Sequence, residues 1–209
     1  MDSSYIINIG RQLGSGGREI GKKLANHLGI SYYDKELINL ASEESGLCKD
    51  FFENADEKAT KSIIGGLFGM RFPFVSDGMI PGNNCLSNDA LFKVQSDVIR
   101  KLASEKSCLF VGRCADYILR DHPRHINVFI SAALPDRVAR VCNSRQINEE
   151  EAEILINKTD KRRAEYYNYY SYKTWGFAST YHLCVDSSVL GIDDTALFIQ
   201  EFAQKKLKL

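Results

Sequence analysis

Hydrophobic positions along the chain switch repeatedly between two periods. Tyr5 to Ile9 is a short apolar run of the kind a buried strand shows. A Gly-rich turn follows, and from about Arg18 to His27 the residues Ile20, Leu24 and Leu28, with Ala25, keep a helical period. Gly29 is placed to end that helix. Ile30 to Tyr33 reads as a second strand closed by Asp34, and Lys35 to about Glu44 has helical composition, with Leu37, Leu40 and Ala41 on one face. Asp89 to Ala103 is an amphipathic helix carrying Leu91, Val94, Val98 and Leu102. Cys108 to Val111 and Ile126 to Ile130 are strands, ending at Gly112-Arg113 and at Ser131. Leu134 to Cys142 and Glu149 to Asn168 are helical. His182 to Val185 is a last strand ending at Asp186, and Thr195 to Lys206 a closing helix. Strands alternating with helices predict an α/β fold of three layers, a parallel sheet of about five strands with helices on both faces.

Residues from about 46 to 87 break this rhythm. They predict a helix near Lys49 to Thr60 and then a long irregular segment holding Gly65-Gly66, Gly69, Pro73, Gly78, Pro81 and Gly82. Loops of that length in a compact domain are usually functional covers or mobile segments. The apolar phrase over residues 63–75 fits a partner surface and fits burial equally.

Composition narrows the class. The chain has 209 residues, 44% of them hydrophobic and 26% charged, enough for one domain with a sizeable core. Lys+Arg and Asp+Glu number 27 each, so the chain as a whole is not drawn to nucleic acid or to an anionic membrane. No apolar run approaches the ~18–20 residues of a membrane span, and the N-terminus has no basic region before its first strand. A cytoplasmic protein with no nucleic-acid or membrane partner is expected. The six cysteines include no C-x-x-C pair and the four histidines no H-x-x-x-H pair. Reduced, mostly buried thiols and no metal site built from them are expected.

The chemistry lies in I-I-N-I-G-R-Q-L-G-S-G-G-R-E-I-G-K-K-L-A. A strand runs into Gly14-Ser15-Gly16-Gly17 and then into a helix. Glycines there let the backbone turn tightly and bring N–H groups against an anion, and the helix N-terminus adds to the field. Phosphate held by Gly14, Ser15, Gly16, Gly17, Arg18 and Glu19 is the expectation. Set on the pattern G-x-x-x-x-G-K-[S/T], the turn departs at three places. Arg11 stands on the first glycine, Gly17 where the lysine belongs, and Arg18 where the serine or threonine belongs. The lysine ordinarily neutralises the transferring phosphoryl group and the hydroxyl ordinarily holds Mg²⁺. Arg18 supplies a positive charge but cannot ligate a metal. Glu19 stands where G-x-G-x-x-G would have its last glycine, which argues against a dinucleotide-binding dehydrogenase.

Further motifs fit one family. L-A-N-H-L-G closes the first helix, Tyr32-Tyr33-Asp34 ends the second strand, F-V-G-R-C carries Arg113, and V-F-I-S-A-A-L-P-D-R-V-A-R carries Arg137 and Arg140. V-D-S-S-V-L-G-I-D-D-T follows the last strand. Spread over most of the chain, these resemble the cytidylate kinase-like family. The resemblance implies a P-loop nucleotide-kinase fold, one domain with its core at 1–34, 106–142 and 176–209. A helical insertion at about 35–105 would cover the acceptor and a lid at about 143–175 would close. It implies ATP and Mg²⁺ as cofactors, the metal ligand being unassigned, and a nucleotide or other small acceptor. Asp34, Arg113 and Ser131 fall on the acceptor side. Arg113 matches the family's phosphate-binding arginine, with a surface salt bridge as the alternative. Asp34 is a metal or acceptor-hydroxyl contact, or equally a helix N-cap. The family's Asp after Arg113 is Cys114 here, its cytosine-reading Asp is Ser131, and its D-[S/T]-G-x-x-Y-R is D-K-E-L-I-N-L. Cytidylate is therefore not implied as the acceptor.

Asn157 to Trp175 is the lid candidate. It holds Lys158, Lys161, Arg162 and Arg163, then Tyr166, Tyr167, Tyr169, Tyr170 and Tyr172. Arg162 or Arg163 matches the family's catalytic lid arginine, and the two are not separable by sequence. The competing expectation is a solvated helix face with pairs such as Lys161–Glu165. The tyrosines either stack on a base or pack the helix on the core. The functional expectation is a phosphotransferase. The alternative is a non-catalytic nucleotide sensor or scaffold on the same fold, with self-association left open.

Overall fold

The computed structural model describes residues 4–35, 38 and 88–209. The sequence-predicted continuation of the helix beyond Lys35, the helix near Lys49 to Thr60, the irregular segment and the apolar phrase at 63–75 lie outside them. Among the described residues five strands are present: β1 Ile6–Arg11, β2 Ser31–Tyr33, β3 Cys108–Val111, β4 His125–Ser131 and β5 Leu183–Asp186. Numbered among the described residues, the helices are α1 Gly17–Leu28, α2 Asn88–Glu105, α3 Ala115–Ile118, α4 Leu134–Arg145, α5 Glu149–Ser171 and α6 Ser187–Leu207.

All four strand pairings are parallel, in the order β2-β3-β1-β4-β5. Parallel strands covered on both faces need near-continuous apolar runs. Accordingly Ile6, Ile7 and Ile9 of β1, Leu109 and Phe110 of β3, and Ile126, Val128 and Ile130 of β4 are almost wholly buried. One core cluster joins Ile7, Ile9, Leu109 and Val128 to Ile20 and Leu24 of α1 and to Ala196, Ile199 and Ala203 of α6. The one polar pair at the middle of the sheet, Asn8 and Asn127, is bonded across β1 and β4 at 2.9 Å.

Order and direction decide where a site can be. Strand β1 sends the chain towards β2, while its neighbour β4 sends it to β5 on the other side. The crevice at such a reversal, beyond the carboxyl ends of the strands, is where open α/β sheets bind ligands. The Gly-rich turn between β1 and α1 opens at that end.

Three local results differ from the sequence pattern. Helix α6 starts at Ser187, well before Thr195, with Gly191 at φ 76°, ψ 179° interrupting its helical course. The residues on either side of that break spoiled the period. The short α3 carries too few residues to show one. Thiols read as mostly buried divide: Cys108 and Cys114 are buried, whereas Cys184 is exposed on the edge strand β5; no described cysteine is in a disulfide. The chain divides into two compact units, residues 1–37 with 99–209 and residues 38–98. Among the described residues no helix is long and apolar enough to cross a membrane.

Candidate functional site

The Gly-rich turn is held by its carbonyls. Arg137 Nε donates to Leu13 O at 2.7 Å, Arg140 Nη1 to Gly14 O at 3.1 Å, and the buried Ser187 Oγ to Ser15 O at 2.7 Å. In a trans peptide the C=O and the following N–H point in opposite directions. Fixing these three oxygens therefore turns the amides of Gly14, Ser15 and Gly16 the other way, that of Ser15 onto Gln12 O at 3.4 Å. Gly16 O accepts from Ile20 N as α1 begins, leaving the amides of Gly17, Arg18 and Glu19 as the first-turn donors a helix cannot satisfy itself. The Ser15 hydroxyl bonds back to Gln12 O at 2.9 Å, so it braces the turn. Gly14 sits at φ 79°, and a Cβ there would lie 2.6 Å from Arg137 O. The sequence demands glycine at that point for space as well as for φ.

Arg137 and Arg140 come from α4 and Ser187 from the start of α6, and α5 braces them from a sequence-encoded position. Asn148 and Glu151 form a reciprocal capping box that fixes the start of α5. Asp160 and Arg163, three residues apart, then share a face about three turns along. Asp160 Oδ1 accepts from Leu13 N at 2.8 Å, and Arg137 bonds to its other oxygen. Arg163 Nη1 donates to Arg11 O at 3.0 Å and stands 3.6 Å from Asp160. Of the two lid arginines that sequence could not separate, Arg163 is the one bonded at the end of β1. Arg162 is half-buried on the same helix. Burial lowers the Arg163 pKa, Asp160 opposes that, and Arg137 adds to it.

Asp34 follows β2, its side chain only 5% exposed. Its Oδ2 is 2.8 Å from Arg18 Nη2 and accepts from the Tyr32 hydroxyl at 3.3 Å. The sequence reading assigned Arg18 to the phosphates and Asp34 to the acceptor; the structure joins them as an ion pair. Arg113 lies just past β3. It and Cys114 have φ of 59° and 55°, the left-handed region that costs a non-glycine residue on the order of 1–2 kcal/mol. The Arg113 Nε is buried with no hydrogen-bond partner, and the guanidinium carbon is 5.6 Å from the centroid of Tyr166. Burial pushes the Cys114 thiol pKa far up, so it stays neutral where the family's aspartate would balance Arg113.

Ser131 ends β4, on the other side of β1 from Asp34 and Arg113, and its hydroxyl reaches Val185 O at 3.3 Å. The tyrosine run spreads around α5. Tyr167 is buried and donates to Asp116 at 2.6 Å, Tyr166 lies over Arg113, and Tyr169 and Tyr172 face solvent. No group of three or more His, Cys, Asp or Glu side chains converges on a metal position among the described residues. Sequence reasoning passed over Arg11 as a site residue, although its place on the first motif glycine was visible. It is half-buried, and burial, then Arg163, lowers its pKa to about 9, with Arg113 adding and Tyr32 and Asp34 opposing.

A parallel sheet in this order, with an amide-lined Gly-rich turn leading from its central strand into a helix, defines a P-loop kinase fold. Within that class the chain belongs to the cytidylate kinase-like family, whose model matches residues 6–189. A crystal structure of an uncharacterized protein from Eubacterium ventriosum is 30% identical, with TM-score 0.69 over 96% of this chain and 99% of that one. The shikimate kinase of Bacteroides thetaiotaomicron is 13% identical, with TM-score 0.54 over 96% of this chain and 98% of that one. The shikimate kinase of Acinetobacter baumannii in complex with shikimate is 16% identical, with TM-score 0.51 over 98% and 95%. At those identities the two kinases share the fold. A search of curated proteins gives no match.

Proposed function

We propose that the chain is a phosphotransferase that takes a phosphoryl group from ATP and passes it to a small acceptor bearing an anionic group. The carrying observation is the turn whose carbonyls are clamped by Arg137, Arg140 and Ser187, which leaves a row of amides for a polyphosphate. In this reading Gly14, Ser15, Gly16, Gly17, Arg18 and Glu19 surround the donor's phosphates, with backbone N–H groups of the glycines and of the first turn of α1 as donors, while the Ser15 N–H stays on Gln12 O. Arg163 adds positive charge at the strand end, with Arg162 beside it on α5. Arg113, with an unpartnered buried Nε, takes the anion of the acceptor, and Asp34 orients the acceptor. Strain at Arg113 and Cys114 supports that role, because left-handed non-glycine residues concentrate at functional sites.

P-loop kinases generally use magnesium with ATP. The residues here fit the triphosphate better than the metal. Arg18 replaces the hydroxyl ligand, and Asp34 already carries the Arg18 guanidinium. No step is assigned through a metal.

The lost lysine and hydroxyl also support a second reading, a sensor that binds nucleotide without turnover. Calorimetric titration with ATP, with and without Mg²⁺, followed by ADP release across a panel of small phosphorylated and carboxylated acceptors, decides between them. Binding with acceptor-stimulated release supports the enzyme. Binding without release across the panel supports the sensor, and no binding removes both.

A further inference from the structure

The reading above leaves the lysine's work unassigned, and the inference here rests on that reading. We propose that Arg11 has taken the lysine's place, its guanidinium holding the terminal phosphate of a nucleoside triphosphate, the group to be transferred.

Two departures from the phosphate-loop pattern turn out to be one exchange. A cation stands at 11 where the pattern has glycine, and glycine stands at 17 where it has the cation. A Cβ on Gly17 would lie 2.7 Å from Arg11 Cβ and 3.0 Å from Arg11 Cγ. An arginine at 11 in this conformation and a lysine at 17 cannot coexist. The Arg11 stem runs across the space where a lysine side chain would begin. Its head then lies against the backbone of Gly112, where a Cβ would collide with Nη1 and lie 3.1 Å from Cζ. Two glycines thus clear the path of one side chain.

That path ends at a suitable place. Gly112 precedes Arg113 at the carboxyl end of β3, and β3 is the neighbour of β1. The side chain therefore starts against Gly17 of the Gly-rich turn and ends against Gly112, next to the proposed acceptor arginine. Its charge is poorly balanced. It makes no hydrogen bond or ion pair with a described residue, and the nearby carboxylate, Asp34, is bonded to Arg18. Arg113 and Arg163 are its like-charged neighbours. A half-buried guanidinium among like charges is a poor stability device and a good phosphate ligand, since its planar fork can bond two oxygens at once. Charge on those oxygens is what a phosphoryl-transfer site must stabilise.

The test is calorimetric binding of ATP and of ADP to the wild-type chain, to Arg11→Met and to Arg11→Gly/Gly17→Lys, with melting temperatures of the nucleotide-free proteins. Arg11→Met should weaken ATP by about tenfold or more and ADP by less than about twofold, with an unchanged or higher melting temperature. The exchange variant should recover ATP affinity to within about threefold of wild type. A folded Arg11→Met protein that binds ATP like wild type overturns the proposal while leaving the phosphotransferase reading intact. So does one that loses ATP and ADP equally. If Arg11→Met does not fold, the exchange variant decides alone: recovered ATP affinity supports the proposal and a loss of ATP with ADP retained overturns it. A wild-type chain that binds neither nucleotide overturns both.

Discussion

Arg137 and Arg140 grip the carbonyls of the Gly-rich turn, while Arg11 and Arg113 gather at the strand ends with little to grip. The first pair is fully used. Arg137 is buried, bonded to Leu13 O and paired with Asp160, and Arg140 reaches both Gly14 O and Ser187. In the second pair, Arg113 Nε has no partner and Arg11 has no bonded carboxylate among the described residues. One residue type thus does two jobs, and the difference is the partner. A guanidinium whose donors are met by protein oxygens shapes the loop; one whose donors are left over is, in the function proposed above, the one that takes an anion.

The largest effect should come from breaking the gripping side. Arg137→Ala leaves Asp160 without its buried partner and frees Leu13 O, so a loss of roughly 3–5 kcal/mol in chemical denaturation is expected. A loss under about 1 kcal/mol would remove the clamp argument. Gly14→Ala comes next. It meets the Arg137 backbone and an unfavourable φ, and should cost on the order of 1–3 kcal/mol while abolishing nucleotide binding.

Arg113→Gly sharpens the contrast from the other side. Relief of the left-handed strain and of an uncompensated charge should leave stability within about 1 kcal/mol of wild type, or above it. Acceptor-dependent turnover should still fall by about tenfold or more. Wild-type turnover in that variant would place the acceptor elsewhere. The smallest effect lies away from both clusters. His182 Nδ1 accepts from Asn127 N at 2.9 Å, so this bond needs the neutral ring. Burial, with His125 and two lysines, holds the His182 pKa below its ordinary 6.5. A depressed folded-state value means stability is present above that ordinary value and is lost as pH falls below it. Melting temperature should drop on acidification through this window, and less so in His182→Gln.

Much of the architecture was legible. Short apolar runs such as Ile6-Ile7-Asn8-Ile9 and Cys108-Leu109-Phe110-Val111 are what strands buried on both faces show, and their helical connections make the sheet parallel. The place of the Gly-rich turn, between the central strand and the first helix, was legible too, because three glycines within four residues mark a tight strand-to-helix turn. The lid region was less so. Its tyrosines read either as a base-stacking run or as packing on the core, and order alone does not separate the two, because a helix turns neighbouring residues apart by about 100°. Tyr167 therefore goes inward to Asp116 while Tyr169 meets solvent.

Local chemistry is written in the order of residues: periods, caps, glycines and the substitution of Arg11, Gly17 and Arg18 into a phosphate-binding pattern. These fixed a P-loop kinase fold of the cytidylate kinase-like family before any coordinate was known. Partnership is not written there. Arg18 and Asp34 are sixteen positions apart and become an ion pair; Arg137 and Asp160 do the same from different helices. Arg11, Arg113 and Arg163 come from three distant segments to the end of one sheet. Only the packed sheet decides which charges meet, because Coulomb energies and hydrogen bonds depend on distances that the chain sets through its fold and not through its order.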